Sequence, residues 1–183
     1  MALKSDRWIR WMAEEHKMID PFAPELIREG VISFGLSSYG YDIRLSNHFK
    51  LPGDHLTVVD PKNLPPDAYT DLEADICLVP PGATILARSI EYFRIPRNVT
   101  GLMTCKSTYA RVGVIVPATV LEAGWEGFLT IGVINVSSFP VKVYANEGIS
   151  QVLFFEGDEP CDVSYADRKG KYQAQDRITP ARL

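Results

Sequence analysis

Between Lys4 and His16 the chain sets Trp8, Ile9 and Met12 at helical spacing, behind Ser5 and Asp6, both residue types that cap helix N-termini well. The pattern predicts one short amphipathic helix. From Val31 onward it changes to short apolar or alternating runs separated by Gly, Pro, Asn and Asp, which is how strands and turns read. The runs are YDIRLS, TVVD, DICLVP, ATILARSIEYFRI, VTGLMT, GVIVPATVL, GFLTIGVINV, VKVYA and SQVLFFE. Strands this short and numerous predict an all-β chain, a barrel or jelly roll with a few helical turns. Pro61 to Asp71, rich in proline and polar residues, reads as a surface loop. After Glu156 the periodicity is lost in GDEPCDVSYADRKGKYQAQDRITPARL, which predicts an arm lying over the body or a mobile tail.

Composition narrows the classes. A chain of 183 residues suits one domain, taken here as 1–183 with 157–183 as a C-terminal arm. Hydrophobic and charged fractions of 46% and 23% are ordinary globular values. No apolar run approaches the roughly 20 residues that span a bilayer, and the N-terminus lacks the apolar stretch of a secretory signal. A cytoplasmic protein with no membrane partner is expected. Cys77, Cys105 and Cys161 have no CxxC spacing and are odd in number, so free thiols are expected. The net charge of −4 supplies no general attraction to a polyanion, so nucleic acid is not an expected partner. An anionic ligand must meet a local basic cluster.

The zinc nucleobase deaminases carry an HxE element and a later PCxxC element, and neither occurs here. His16, His48 and His55 have no paired spacing, so no zinc is expected and these histidines read as surface or packing residues. There is no GxSxG elbow and no P-loop. The densest polar constellation is Cys105-Lys106-Ser107-Thr108-Tyr109-Ala110-Arg111, between VTGLM and VGVIV. A helical turn beginning near Ser107 would aim free backbone N–H groups outward beside Lys106, Ser107 and Thr108. That outline fits a phosphate cradle, and equally a solvated turn with Ser107 as a plain N-cap. In SSYGYDIRLSN, the alternation of Tyr41, Asp42 and Arg44 suits a buried ion pair stabilising a strand.

SSYGYDIRLSN, KSTYAR, EAGWEG, YANEGISQVLFFE and SYADRKGKYQAQ follow one another along the chain at consistent spacing, and together they resemble successive motifs of bacterial dCTP deaminases. The resemblance covers nearly the whole chain. It implies a dUTPase-like trimeric β fold, hence a homotrimer, and conversion of dCTP to dUTP and ammonia, with magnesium bound through the triphosphate and not by protein side chains. It further implies that Lys106, Ser107 and Thr108 bind phosphate and that Ser107 and Arg111 orient base and water. By the same resemblance Thr119 and Val120 line the base pocket, and Tyr165, Lys171 and Gln175 fold over the triphosphate. Each site would draw on neighbouring subunits.

One position departs from the family. In the stretch Thr130-Ile131-Gly132-Val133-Ile134-Asn135, Gly132 stands where relatives carry the glutamate that moves protons. Loss of such a group costs on the order of 10²- to 10⁴-fold in rate. Glu126 shares the strand face of position 132 but lies six residues, roughly 20 Å, away. Ile134 and Cys105 are expected to crowd any side chain placed at 132, and Pro117 replaces a common polar residue. Glu122 matches the turn in which dUTPases carry an acidic residue that activates water, and it reads equally as a solvent-exposed turn carboxylate. Three readings follow: dCTP deamination with a substituted proton shuttle, a dUTPase-type diphosphohydrolase using Glu122 and magnesium, and a nucleotide-binding paralogue without catalysis. The ligand is a deoxynucleoside triphosphate, dCTP or dUTP, in each.

Overall fold

The computed structural model describes residues 2–182. The expected helix is present as α1 (Asp6–His16), with Ile9, Met12 and Ala13 buried along one stripe. Ser5 holds the N-cap position, yet its side chain makes no cap hydrogen bond. The other end closes on Lys17 in the left-handed region (φ 54°), and Met18 N–H donates to Met12 O at 3.1 Å.

The rest is mostly strand, as the alternating runs require. In chain order the strands are β1 (Ala2–Leu3), β2 (Ile19–Asp20), β3 (Gly35–Ser37), β4 (Gly40–Pro52), β5 (Tyr69–Glu73), β6 (Ile76–Val79), β7 (Thr84–Arg94) and β8 (Val99–Cys105). The short helix α2 (Ser107–Ala110) follows, then β9 (Val114–Ile115), β10 (Thr119–Leu121), β11 (Glu126–Asn135), β12 (Val141–Tyr144) and β13 (Gly148–Glu156). The main sheet has the order β10-β8-β13-β4-β7-β11-β9, and β6 pairs with β12 in a small second sheet. β4 joins two halves, because Tyr41–Arg44 pair with β13 whereas Leu45–Pro52 pair with β7 and β5. A 13-residue strand shared in this way curls the sheet around one core.

Period-two burial shows which faces look inward. Ile85, Ala87 and Phe93 of β7 and Leu129, Ile131 and Val133 of β11 are buried, and Met103, Val152 and Phe154 meet them in the same core. Each of these side chains larger than Ala87 contributes about 1.5–3 kcal/mol by leaving water. Two polar members of the buried set are paired: Glu91, fully buried, accepts from Arg44 Nε at 2.7 Å, and Asn135 Nδ2 donates to Val79 O at 2.9 Å.

Some segments differ from the sequence expectations. TVVD is not a strand, and Val58 and Val59 are 76% and 61% exposed. Its alternation is local and no neighbouring strand presents an edge to it. The loop expected over Pro61 to Asp71 ends earlier, since β5 begins at Tyr69 and pairs along β4. GVIVPATVL divides into β9, paired with β11, and β10, paired with β8. Pro117, lacking an N–H, falls between them. The tail packs over the body: Phe128 N–H donates to Gln175 O at 3.0 Å, and Ile178 is buried.

Candidate functional site

β10, the turn that follows it, β11 and the arm surround a cleft of about 510 Å³. Thr119, Val120, Glu122, Tyr165, Lys171 and Gln175 line it, together with Trp125, Leu129, Thr130, Tyr172 and Thr179. The turn owes its closeness to the arm to Gly124, whose φ is +77° and where a Cβ would fall 2.6 Å from Ser164 Cβ. Further along, Gln175 Nε2 donates to Phe128 O at 2.7 Å and Thr179 N–H donates to Thr130 Oγ1 at 3.0 Å. The arm is thereby laid alongside β11 as the cleft's second wall.

The charged groups in this region have partners within the chain, though not all of them are ion pairs. Glu122 forms an ion pair with Arg168 of the arm. Lys171 Nζ donates to Arg182 O at 2.5 Å and lies 5.2 Å from the Tyr172 ring centroid. At the root of the arm, the Ser164 N–H donates to Asp167 at 2.9 Å and Arg97 pairs with the same carboxylate. These contacts, the Ser164 amide first and then Arg97, hold the Asp167 carboxyl below the usual aspartate range.

α2 lies beyond the end of β8, past the Thr119–Met103 pair. Ser107, Thr108 and Arg111 are exposed on it, and Arg111 Nη1 donates to Ser107 Oγ at 3.2 Å. Lys106, not Ser107, occupies the N-cap position and makes no side-chain cap bond. Its ammonium is turned inward to an ion pair with Asp42, both side chains being more than nine-tenths buried. Gln151 Nε2 donates to the other Asp42 oxygen at 3.1 Å. The expected ion pairing of the early motif is thus present twice over, Asp42 with Lys106 and Arg44 with Glu91. The lysine expected on phosphate is instead engaged by a buried carboxylate, whose charge needs a cation once water is gone. Tyr109 is buried below α2, and its hydroxyl accepts from Tyr144 N–H at 3.3 Å.

Gly132 sits on the half-buried outer face of β11, two residues beyond Thr130, opposite Leu86 of β7. Apart from its own residue and its two chain neighbours, no heavy atom lies within 4 Å of the Cβ it would carry. Ile134 and Cys105 therefore leave the position open, contrary to the expected crowding; the Cys105 thiol is directed to Val114 O, 3.5 Å away. Neither its backbone conformation nor a close neighbour requires glycine there.

The structure therefore separates the sequence candidates. Thr119, Val120, Glu122, Tyr165, Lys171 and Gln175 meet at one cleft, whereas Lys106, Ser107, Thr108 and Arg111 stand apart at α2 and do not line it. Trp125, Tyr172, Thr179 and Arg168 were not singled out in advance. The EAGWEG motif pointed to Trp125's neighbourhood, but nothing local marks Thr179 within a polar tail. Among the described residues no group of three or more His, Cys, Asp or Glu could hold a metal ion, and no helix is long and apolar enough to cross a membrane.

Comparison with known proteins follows the same lines. The family model described as dCTP deaminase-like matches residues 3–157. The dCTP deaminase of Herpetosiphon aurantiacus is 54% identical over 184 aligned residues, covering 100% of both chains. That of Burkholderia cenocepacia is 53% identical and covers 98% of each. Among solved structures, the 2′-deoxycytidine 5′-triphosphate deaminase of Agrobacterium tumefaciens superposes with a TM-score of 0.65 at 15% identity. The match covers 84% of this chain and 47% of that one, and it concerns the fold alone. With the motifs, the all-β architecture and full-length relatives in agreement, the chain belongs to the dCTP deaminase family.

Proposed function

We propose that this chain binds dCTP in the cleft between β10, β11 and the arm, and converts it with water to dUTP and ammonia. The observation that carries the reading is the meeting of Thr119, Val120, Tyr165, Lys171 and Gln175 around one concavity, whose 510 Å³ is in the range of small-molecule sites. Thr119 and Val120 offer the base one polar and one apolar contact, and Lys171 offers the phosphates a cation. Ser107, Thr108 and Arg111 would enter this cleft from a neighbouring subunit, in a homotrimer, because their own chain holds them away from it. Lys106 then acts indirectly, by supporting the turn through Asp42. Magnesium would arrive on the triphosphate, since the one carboxylate among the described lining residues, Glu122, is engaged by Arg168.

Deamination requires a group that takes a proton from water and delivers protons to the ring and the leaving amine. Gly132 supplies none, so the reaction should run far below the rate a carboxylate there would allow. The lack of any proton-carrying side chain at Gly132 favours a second reading, in which the chain binds the nucleotide without turning it over. A single experiment separates these readings: incubate the protein and its Gly132→Glu variant with dCTP and with dUTP, with magnesium, and assay ammonia and pyrophosphate. Deamination predicts ammonia from dCTP, raised on the order of 10²-fold or more in the variant. Ammonia from the variant alone, with dCTP bound by both proteins, selects the binding-only reading. Pyrophosphate without ammonia would instead establish diphosphohydrolysis and overturn the proposal.

A further inference from the structure

Residue 172 of the arm commits both of its backbone polar groups to the cleft. Its carbonyl accepts from the Trp125 indole Nε1 at 2.8 Å, and its N–H donates to the Tyr165 hydroxyl at 3.0 Å. The turn is closed by Gly170, whose N–H donates to Tyr165 O at 3.1 Å. A Cβ at 170 would fall 2.2 Å from the Tyr165 ring, so the ring lies directly against the backbone there. Lys171 lies between these two residues, so its backbone is placed by their contacts. Trp125 itself is 6% exposed and anchored in the body, its carbonyl accepting from Ile95 N–H at 2.8 Å.

We infer that Trp125 is a positioning residue: its indole N–H clasps the 170–172 turn and through it sets Tyr165 and Lys171 against the ligand. The inference rests on the nucleotide reading for the ligand's identity, and on these hydrogen bonds for the rest. A neutral donor buried with its acceptor is worth enough to change affinity roughly fivefold to tenfold. The loss should be specific to the triphosphate, because the cation being positioned is Lys171.

Two variants of the full chain test this. Trp125→Phe keeps a buried aromatic ring and removes the donor; Gly170→Ala leaves the body untouched and displaces the Tyr165 ring. Calorimetry with dCTP and with deoxycytidine is paired with tryptic cleavage at Arg168, Lys169 and Lys171. The expected result is a fivefold to tenfold loss for dCTP in both variants, little change for deoxycytidine, and faster cleavage of the arm. Equal loss for both ligands would make Trp125 a direct contact and overturn the inference, as would loss confined to Gly170→Ala. Failure of the unaltered chain to bind dCTP sinks the nucleotide reading and this use of the arm together. If dCTP binding survives Trp125→Phe unchanged, only the inference falls.

Discussion

Lys106 and Asp42 form an ion pair with side chains 9% and 7% exposed, so each neutralises a charge that water no longer solvates. Removing one partner leaves the other uncompensated, which typically costs about 3–5 kcal/mol. Lys106→Ala is therefore expected to lower unfolding stability by that order in urea titrations. Adding Asp42→Asn to Lys106→Met should recover much of the loss, because the remaining amide carries no charge. A change under about 1 kcal/mol for Lys106→Ala would show that the pair is not desolvated as described. Gly132 is the opposite case, a position at which adding atoms meets no resistance. Gly132→Glu should fold normally, which makes it a clean probe of proton transfer.

At the scale of elements, the arm is tied down by a short series of polar contacts, among them the shifted carboxyl of Asp167 and the Glu122–Arg168 ion pair. The Asp167 carboxyl is held below the ordinary aspartate range by the Ser164 N–H and Arg97. For a group depressed in the folded state, the contribution is complete above the ordinary aspartate value and is lost as pH falls through the depressed one. The arm should thus keep its protection near neutrality and loosen only in acid, below about pH 4. Peptide-level hydrogen exchange over residues 162–176, corrected for intrinsic rates, reads this directly. Asp167→Asn should already be loosened at neutral pH and show a smaller acid step; an unchanged step in that variant would assign the titration elsewhere.

At the scale of the molecule, the two separated groups of candidate residues make a definite demand. Ser107, Thr108 and Arg111 are exposed at α2, whereas the cleft is built from β10, β11 and the arm of the same chain. If both groups serve one nucleotide, a second subunit must bring α2 to the cleft. Light scattering at micromolar concentration should therefore report a homotrimer, and mixing inactive Ser107→Ala with inactive Lys171→Ala should regenerate some intact sites. A monomer, or a mixture that recovers no dCTP binding, would leave α2 without a role at the cleft.

The helix at Asp6–His16 and most strands were legible in the sequence because period and capping are local properties, carried by residues within a few positions of one another. The departure at Gly132 was legible for the same reason, since a missing side chain needs no partner to be noticed. TVVD shows the limit: its alternation suits a strand, but a strand exists only where another edge accepts its hydrogen bonds, and none does. Lys106 shows it more sharply. Its neighbours in sequence suggested phosphate, and its partner in space, Asp42, lies 64 residues away on β4. The cleft itself, formed where residues 119–130 meet residues 165–181, was likewise a decision of tertiary structure. Burial determines which charges must be paired and which remain free for a ligand, and burial is settled only when distant strands close on one core.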